Sequence, residues 1–361
     1  MGNFLDSCTP GASDHEGKTF VVGYAFMSKK IGRMGAVLDG SVSQSIRFEQ
    51  IDFDEKHIKR RGRWDLILHK LSEDVMNRTK NVESRTKVEF IERYLDLNPQ
   101  TVVIDSISSI QTIVSRKSTS LILESALQFK TVRAPKYFYV EDATELGSSS
   151  FCERMRRNGM EFPLICKPVE ACGTAASHRL TVILNEEGVA DIRYPCIVQE
   201  YIDHGGTLMK VYVLGNSISV HARRSLPNLT YQVTDSQPVS SSVLRKSSVS
   251  SEKQSQPRSL SFDSQKPYPT SEDFGMEEDK RMAIDDRKTT WPEQDQLNSI
   301  AACLRQAFGL SLFGFDLIQS TDKHLYVVDL NYFPSYKELE NFPDQLRQYL
   351  KDRIEEHLKC R

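Results

Sequence analysis

Two aspartates near the C-terminal end of the sequence, Asp316 and Asp329, each lie inside a short apolar run. A charged side chain within an apolar strand is costly unless it has a partner. If the two runs form a hairpin in which Ser320 faces Leu325, Asp316 falls opposite Asp329. Asn331 is two residues beyond Asp329 and therefore lies on the same face of the sheet. The sequence thus predicts two carboxylates and one amide oxygen on one side of a hairpin.

This set of hard oxygen donors suits Mg²⁺, which takes one or two protein carboxylates and completes its shell with water and phosphate. The first interpretation is therefore a metal site formed by Asp316, Asp329 and Asn331. The residues alone leave a second interpretation open, in which both aspartates only bond to neighbouring backbone groups or to a basic side chain.

Basic residues that end apolar runs or lie in loops are a second group with a chemical meaning. A single lysine of this kind is usually a solvated strand end. Several of them beside a carboxylate pair indicate a bound polyphosphate, because ammonium and guanidinium groups are the usual partners of phosphate. The residues are Lys30, Lys70, Arg116, Lys167, Lys210 and Arg223.

The loop 171–178 follows Lys167 and consists mainly of small residues, which let backbone N–H groups approach an anion closely. It is not a P-loop, since the chain contains no GxxxxGK[ST] segment. The glycine fingerprint of dinucleotide-binding folds is absent as well. A phosphate ligand would therefore be held by a different kind of site.

Strand and helix patterns predict the framework that would position these residues. Over 18–110, apolar strand-like runs alternate with helical spacing, which indicates a small parallel α/β domain after a loose tail at 1–17. The later part of the chain is predicted to contain a helix beginning near Arg116, a helix over 297–308, a C-terminal helix, and strands at 135–140, 164–167, 197–202, 210–220, 312–318 and 325–333.

Composition changes abruptly within the segment 232–290. Its first part is rich in serine and its last part is mostly charged, with few large apolar side chains. Such a segment cannot bury enough surface to offset the entropy of ordering it, so we expect a disordered insertion. The serines invite phosphorylation, but a tolerated surface loop is the simpler interpretation.

Overall composition excludes several classes of protein. The chain has 361 residues, 39% hydrophobic and 27% charged, values typical of two or three globular domains. A net charge of −2 argues against a nucleic-acid partner, and no apolar run approaches the ~18 residues of a membrane-spanning helix. Seven scattered cysteines without a CxxC pair indicate a reducing compartment, the cytoplasm with the nucleus as a second location. We find no self-complementary seam and expect a monomer.

At the residues described above, the sequence resembles the inositol-tetrakisphosphate 1-kinase family (inositol 1,3,4-trisphosphate 5/6-kinases), which has the ATP-grasp fold. The resemblance covers 18–230 and 291–355 and leaves out the tail and the serine-rich insertion. It implies an α/β fold with a Rossmann-like N-terminal domain over 18–110, a central ATP-grasp subdomain over 111–202 and a C-terminal one over 203–355. The matching segments include SKKI at 28–31, LHKL at 68–71, FPLICK at 162–167, VQEYI at 198–202, SLFGFD at 311–316 and DLNYFP at 329–334.

The resemblance also implies a role for each site residue. Phosphate groups of the inositol substrate would be held by Lys30, Lys70, His178, Lys210 and Asn331. ATP would be bound by Arg116, Lys167, Gln199, Glu200, Tyr201, Ile202, Lys210 and Ser225. The metal ligands would be Asp316, Asp329 and Asn331, and the catalytic residues would be His178, Lys210 and Asp329. For His178, the alternative is a surface histidine without a functional role.

The implied reaction is transfer of the γ-phosphate of ATP to a hydroxyl of an inositol tris- or tetrakisphosphate, with two Mg²⁺ ions. Phosphoryl transfer depends on alignment and charge neutralisation more than on covalent chemistry by the protein, which fits a set of cations around two carboxylates. Two positions depart from the family pattern: Cys172 stands where His or Asp is usual, and Ser335 where Gly is usual. A backbone with positive φ at position 335 would resist serine.

Two other functions remain open on the sequence. An ATP-grasp ligase that joins a carboxylate to an amine through an acyl phosphate would keep the fold, although its substrate needs fewer cations. A non-catalytic scaffold protein would use the serine-rich insertion and the basic run 56–63 for docking, although such a run is usually a solvated loop.

Overall fold

We describe the fold from a computed structural model, over residues 19–39, 45–54, 63–128, 131–143, 148–229, 257–276 and 292–360. The predicted tail at 1–17 and most of the basic run 56–63 lie outside these residues. Within them the chain forms three β-sheets flanked by helices, which confirms the mixed α/β class. In this part of the chain, no helix combines the length and the apolar character needed to cross a membrane.

The N-terminal domain is built on a four-stranded sheet. Its elements are β1 (Phe20–Ala25), α1 (Ser28–Leu38), β2 (Ile46–Gln50), β3 (Leu66–His69), α2 (Ser72–Asn77), α3 (Val82–Leu97) and β4 (Val102–Ile104). The strands lie in the order β2-β1-β3-β4 and all pair in parallel, as the alternating pattern predicts. β3 is buried along its whole length, which is expected of a strand inside a parallel sheet that helices cover.

The rest of the chain supplies five helices and ten strands among the described residues. In chain order they are α4 (Ile107–Ile113), α5 (Arg116–Ala126), β5 (Val132–Arg133), β6 (Tyr137–Val140), α6 (Ser148–Arg157), β7 (Leu164–Pro168), β8 (Arg179–Ile183), β9 (Cys196–Glu200), β10 (Thr207–Leu214), β11 (Ser217–Arg224), β12 (Ser259–Asp263), α7 (Gln294–Phe308), β13 (Leu312–Gln319), β14 (Leu325–Tyr332) and α8 (Phe342–Lys359).

These strands form two five-stranded sheets that face the site described below. The central sheet has the order β12-β8-β7-β9-β6 and is antiparallel throughout. The C-terminal sheet has the order β11-β10-β13-β14-β5, in which only the short pairing of β14 with β5 is parallel. Gly215, with φ +57°, closes the tight turn between β10 and β11, as predicted.

The prediction of a disordered insertion across 232–290 is wrong for 257–276. Part of that range is strand β12, which pairs antiparallel with β8 and places Leu260 opposite Val182. Phe274 is fully buried against Leu226 and other apolar side chains. The serine-rich composition of the whole insertion obscures a short strand pattern within it. This strand is ordered because its backbone hydrogen-bonds to the edge of β8.

Tyr332, the last residue of β14, joins the C-terminal sheet to the N-terminal domain. Its buried hydroxyl donates to the carbonyl oxygen of His69 at 2.7 Å and accepts from the backbone N–H of Asp105 at 3.0 Å. The Asp105 carboxylate accepts in turn from the N–H of Leu312 at 3.1 Å. These bonds fix the carboxyl ends of β3 and β4 beside the β13–β14 hairpin, so Lys70, which follows His69, arrives at that hairpin.

Candidate active site

The β13–β14 hairpin places Asp316 directly opposite Asp329, as the sequence predicts. The register nearer the turn differs from the prediction, because Gln319, and not Ser320, faces Leu325. A bulge at Val328 restores the predicted register, since Leu317 pairs with Val327 and Asp316 with Asp329. Bulges of this kind are frequent beside active sites because they redirect a strand's polar groups.

The bulge at Val328 provides a hydrogen-bond acceptor for a lysine of the central sheet. Val328 has no paired residue on β13. Its carbonyl oxygen instead accepts a hydrogen bond from the Lys167 ammonium at 2.9 Å. Lys167 lies on β7 of the central sheet, and burial lowers its pKa to about 8 although Asp329 opposes that effect. The bulge therefore ties the two sheets together next to the carboxylate pair.

Asp316 is buried beside a lysine, whereas Asp329 is half-buried. Lys210 is opposite Asp316 in the β10–β13 pairing, and its ammonium contacts the Asp316 carboxylate. Burial raises the pKa of Asp316, the Lys210 charge opposes this, and the nearby Asp329 carboxylate adds to it. The Asn331 amide donates to Asp329 at 3.2 Å, so it lies on the same face of the hairpin as Asp329, as the sequence predicts.

The donor set fits a divalent cation. Two carboxylates and an amide oxygen are hard ligands, and a cation between Asp316 and Asp329 would offset the cost of burying two like charges together. Among the described residues no cluster of three or more His, Cys, Asp or Glu side chains suits a metal, so a complete protein cage is not formed there. An incomplete protein set is what Mg²⁺ uses when phosphate oxygens and water complete its shell.

A pocket between the central and C-terminal sheets adjoins this pair. Every residue predicted to bind ATP lines it except Lys210, which lines the neighbouring cavity. The lining residues from the prediction are Arg116, Lys167, Gln199, Glu200, Tyr201, Ile202 and Ser225. Ser225 is buried and bonds to His204 at 2.8 Å, which fixes its hydroxyl at the pocket wall.

Arg116 occupies the first position of α5, as the sequence predicts, and is folded into the site. Its Nη1 donates to the carbonyl oxygens of Pro168 and Glu170 at 2.8 Å and of Ser177 at 3.1 Å, whereas its buried Nε has no partner in the structure. Burial lowers its pKa, and Asp329 opposes that shift. The unpartnered Nε leaves this guanidinium with capacity for a phosphate.

Sequence reasoning missed three pocket residues on the segment 257–276. Phe262, Ser264 and Tyr268 line the pocket beside the predicted ATP residues, and the Phe262 and Tyr268 rings pack edge to face at 5.5 Å. Burial raises the pKa of Tyr268, with the Asp316 and Asp329 charges adding to it, so the phenol stays a hydrogen-bond donor. A signal was available in the alternation of Leu260 and Phe262, which is a strand pattern within an otherwise polar stretch.

A second, wider cavity of about 640 Å³ opens on the other side of the carboxylates. Its lining brings together predicted substrate residues from all three sheets and the loops between them. They are Lys70, His178, Lys210 and Asn331, with Arg116, Asp316 and Asp329 shared with the first pocket, and with Arg223, Arg224 and Lys266 as further cations. A cavity so rich in basic groups suits a ligand with several negative charges.

Lys30, a predicted substrate residue, is not among the residues that line this cavity, although it contacts Pro334, which does line it. Its ammonium donates to Pro334 O at 3.0 Å and sits 3.8 Å from the centre of the Phe333 ring, while Lys70 donates to Phe333 O at 2.8 Å. Burial, with Lys70 and Arg33 nearby, lowers the pKa of Lys30 to about 6, and burial lowers that of Lys70 to about 8. Both amines would regain their charge beside an anionic ligand.

We expect Lys30→Met to stabilise the ligand-free protein, because folding forces a lysine of ordinary pKa 10.5 into a site where its pKa is about 6. The unfolded chain binds the extra proton between these values, so this cost is fully present below about pH 6 and shrinks as pH rises toward 10.5. The melting temperature of the variant should exceed that of the wild type by about 2–5 °C near pH 6, with a smaller gain at pH 9. A gain that is equal at both pH values would contradict this origin.

The loop 171–178 carries two residues of interest. His178 ends a 3₁₀ turn, Ala175–His178, and reaches the wide cavity, where burial and the Arg116 charge lower its pKa. Cys172 donates to Ser72 O at 3.6 Å, and burial raises its pKa to about 11, so it is a packed thiol and not a reactive one. Cys172 itself is not among the residues that line either cavity.

Ser335 is compatible with the backbone it occupies. Positive φ occurs on either side of it, at Phe333 (39°) and Tyr336 (51°), but not at Ser335 itself. The condition under which serine would be resisted, a positive φ at position 335, is therefore not met, because the turn places its left-handed residues at the aromatic positions. Ser335 lines the wide cavity, where its hydroxyl adds a polar group.

Comparison with known proteins identifies the family. The profile described as the inositol 1,3,4-trisphosphate 5/6-kinase ATP-grasp domain matches residues 128–352, and the profile of the corresponding pre-ATP-grasp domain matches 21–110. The chain belongs to this family. Its predicted class, an ATP-dependent inositol phosphate kinase, is confirmed at the level of the family, which uses ATP and a divalent metal ion.

Full-length relatives agree with the domain matches. The chain is 32% identical to an inositol-tetrakisphosphate 1-kinase of Danio rerio over 92% of this chain and 80% of that protein. It is 30% identical to one of Xenopus laevis over 91% and 78%, and 28% identical to inositol-tetrakisphosphate 1-kinase 2 of Glycine max over 94% and 97%.

Solved structures confirm the ATP-grasp fold at much lower identity. The ATP-grasp ligase PsnB superposes with a TM-score of 0.53 at 13% identity, over 94% of this chain and all of that one. A RimK domain protein of Sphaerobacter thermophilus gives 0.51 at 8% identity, over 92% and 99%. At such identities these proteins share the fold with the family member described here, and the similarity says nothing about the reaction.

Proposed function

We propose that this protein transfers the γ-phosphoryl group of ATP to a hydroxyl of an inositol tris- or tetrakisphosphate, as an inositol 1,3,4-trisphosphate 5/6-kinase and inositol 3,4,5,6-tetrakisphosphate 1-kinase. The substrate oxygen bonds to the γ-phosphorus, the bond from that phosphorus to the β–γ bridging oxygen breaks, and the hydroxyl proton is released. The observation that supports this proposal is the Asp316–Asp329 pair, which lines both the pocket between the central and C-terminal sheets and the wide cavity rich in cations.

The pocket between the central and C-terminal sheets would bind the ATP. Gln199 and Glu200 end strand β9, and Tyr201 and Ile202 come directly after it. These four residues and Ser225 all line the pocket, where they would contact the adenine and ribose. Lys167 and Arg116 also line the pocket, and both charges interact with Asp329, so the phosphates would be held beside the carboxylates. Clamping the phosphates in this way aligns the γ-phosphorus without covalent help from the protein.

Asp316, Asp329 and Asn331 would hold the metal, which we propose is Mg²⁺, with two ions per ATP. When bound, magnesium neutralises charge on the β- and γ-phosphate oxygens. Lys210, in contact with Asp316 and lining the wide cavity, would orient the substrate and the γ-phosphate together. With His178 and Asp329 it completes the proposed catalytic residues.

The wide cavity would take the inositol phosphate. Lys70, His178, Lys210 and Asn331 line it, and Lys30 would support it from behind through Phe333. Several cations are more than a single carboxylate substrate needs, which favours a kinase over a carboxylate–amine ligase. We further propose that the protein acts as a monomer in the cytoplasm and nucleus, without a nucleic-acid or membrane partner.

The experiment that tests the proposal is a turnover assay with purified protein, Mg-ATP and a panel of inositol phosphates, with release of ADP and the phosphorylated product both quantified. We expect turnover with at least one tris- or tetrakisphosphate and none without Mg²⁺. Amino-acid substrates in parallel reactions serve as the ligase arm. ADP release with amino acids only, or no binding of Mg-ATP in calorimetry, would overturn the kinase assignment.

A further inference from the structure

Arg223, on β11, is held at the rim of the wide cavity by two side chains that no sequence motif marks. Its Nη2 donates to the Tyr212 hydroxyl at 2.9 Å and pairs with Glu338 Oε1 at 2.5 Å. The Tyr212 hydroxyl donates to the other Glu338 oxygen at 2.6 Å. The three groups form a closed ring in which the carboxylate uses both of its oxygens. We call this ring of Arg223, Tyr212 and Glu338 the arginine clamp.

Two members of the arginine clamp line the wide cavity, and the third does not. Arg223 and Tyr212 line the cavity, while Glu338 meets the guanidinium from outside that lining. Only Nη2 of Arg223 is engaged by the clamp. A guanidinium carries five N–H donors, so Nε and Nη1 remain as donors that the clamp does not use.

The loop that carries Glu338 is itself fixed. Tyr336, in a left-handed backbone conformation with φ 51°, donates its hydroxyl to Val213 O at 2.6 Å, and its ring packs 5.4 Å from that of Tyr212. Tyr336 is fully buried and also stacks on Phe342 at 4.7 Å. Glu338 is therefore presented by a packed loop at a set distance from β10 and β11.

We propose that Glu338, together with Tyr212, is a positioning residue for the inositol phosphate, which orders the Arg223 guanidinium so that its unused N–H groups face a substrate phosphate. The Arg223 side chain is 43% exposed and would otherwise sample many rotamers, at an entropic cost to binding. Holding it in one orientation removes that cost before the substrate arrives. This inference rests on the proposed function, since the phosphate belongs to the inositol substrate.

The charge of Glu338 and its ordering effect act on substrate binding with opposite signs. Burial opposes ionisation, but the hydrogen bond from Tyr212 and the Arg223 charge lower the pKa of Glu338, so it is an anion at neutral pH. An anion near the cavity weakens the binding of a polyanionic substrate, whereas an ordered guanidinium strengthens it. A pair of substitutions can therefore separate the two effects.

The test uses E338A, which removes both the charge and the clamp, and E338Q, which removes the charge and keeps an oxygen that accepts from Arg223. With inositol 1,3,4-trisphosphate as the probe, we expect E338A to raise its KM about three- to tenfold. E338Q should stay at or below the wild-type KM, and Y212F should raise KM in the same direction as E338A. The KM for ATP should stay within about twofold in all three, because the clamp lies on the substrate side.

E92A is the matched control. Glu92 forms a two-oxygen pair with Arg78 at 3.1 Å on the N-terminal domain, at a side-chain exposure of 39% against 34% for Glu338. It should lower the melting temperature as much as E338A does and leave both KM values unchanged. This comparison separates an effect on the site from a loss of stability.

Three results would overturn the role of Glu338 while leaving the proposed function intact. They are an unchanged KM in E338A, a KM lowered in both E338A and E338Q, and a KM for ATP that rises together with that for the inositol phosphate. No turnover by the wild type with any inositol phosphate would instead overturn the proposed function, and the role of Glu338 with it.

Discussion

Asp329→Asn should lower kcat by about 10³-fold or more while leaving the protein folded. The amide has the shape of the carboxylate but no charge, so the Asp316–Asp329 pair would lose half of the negative charge that holds a divalent cation. Both residues are central in the β13–β14 pairing, and Asn331 donates to Asp329, so the position is well fixed. Turnover measured at saturating Mg²⁺ and ATP gives the size of the effect.

The stability of this variant should change little, in contrast to its turnover. Asp329 adds to the raised pKa of the buried Asp316, which means that the two carboxylates repel each other in the metal-free protein. Removing one charge relieves that repulsion, but it also removes the anion that favours the charged forms of the buried Lys167 and Arg116. The two effects oppose each other, so the melting temperature should stay within about 3 °C of that of the wild type. A larger fall in melting temperature would show that Asp329 has a structural role instead.

Asp322→Asn is the matched control for the same substitution. Asp322 is at the tip of the same hairpin, its side chain is 63% exposed, and it lies outside both cavities. The kcat of the Asp322→Asn variant should stay within about twofold of the wild-type value. Retention of wild-type kcat by Asp329→Asn itself would remove Asp329 from the site.

The carboxylate pair was predictable from the sequence because the pattern has a period of two and a short turn. That prediction nevertheless used the wrong register at Ser320 and Leu325, and Asp316 still meets Asp329 because of the bulge at Val328. The extra residue, Val328, accepts a hydrogen bond from Lys167 on another sheet. The sequence of the hairpin itself does not indicate that partner. Local pattern thus predicts which strands pair, while distant contacts decide the register.

The segment 257–276 shows why composition misleads when an insertion is read as a whole. Only a few of its residues form β12, and their stability comes from the edge of β8, a partner about 80 positions earlier in the chain. The same limit applies to Glu338, whose role depends on the left-handed backbone at Tyr336 that carries it to Arg223. Residues whose partners are remote in sequence cannot be found by reading along the chain.

Lys167→Met should raise the KM for ATP about tenfold and lower kcat by about 10²-fold or more. Lys167 is buried, burial lowers its pKa to about 8, and its ammonium bridges from β7 to the bulged carbonyl of Val328 beside Asp329. A phosphate at this position would restore full protonation, because an anion favours the charged form. Methionine keeps the length and apolar stem of the side chain and removes only the cation.

Lys351→Met on α8 is the control for this second prediction, because Lys351 forms a half-buried pair with Glu355 at 3.7 Å on a helix outside both cavities. It should leave both kinetic constants unchanged. Calorimetric titration with Mg-ADP separates lost binding from lost chemistry: we expect Lys167→Met to bind Mg-ADP more weakly than the wild type does. Unchanged Mg-ADP affinity together with an unchanged KM for ATP would mean that Lys167 only ties the central sheet to the bulge, and the phosphates would then be held by Arg116 without it.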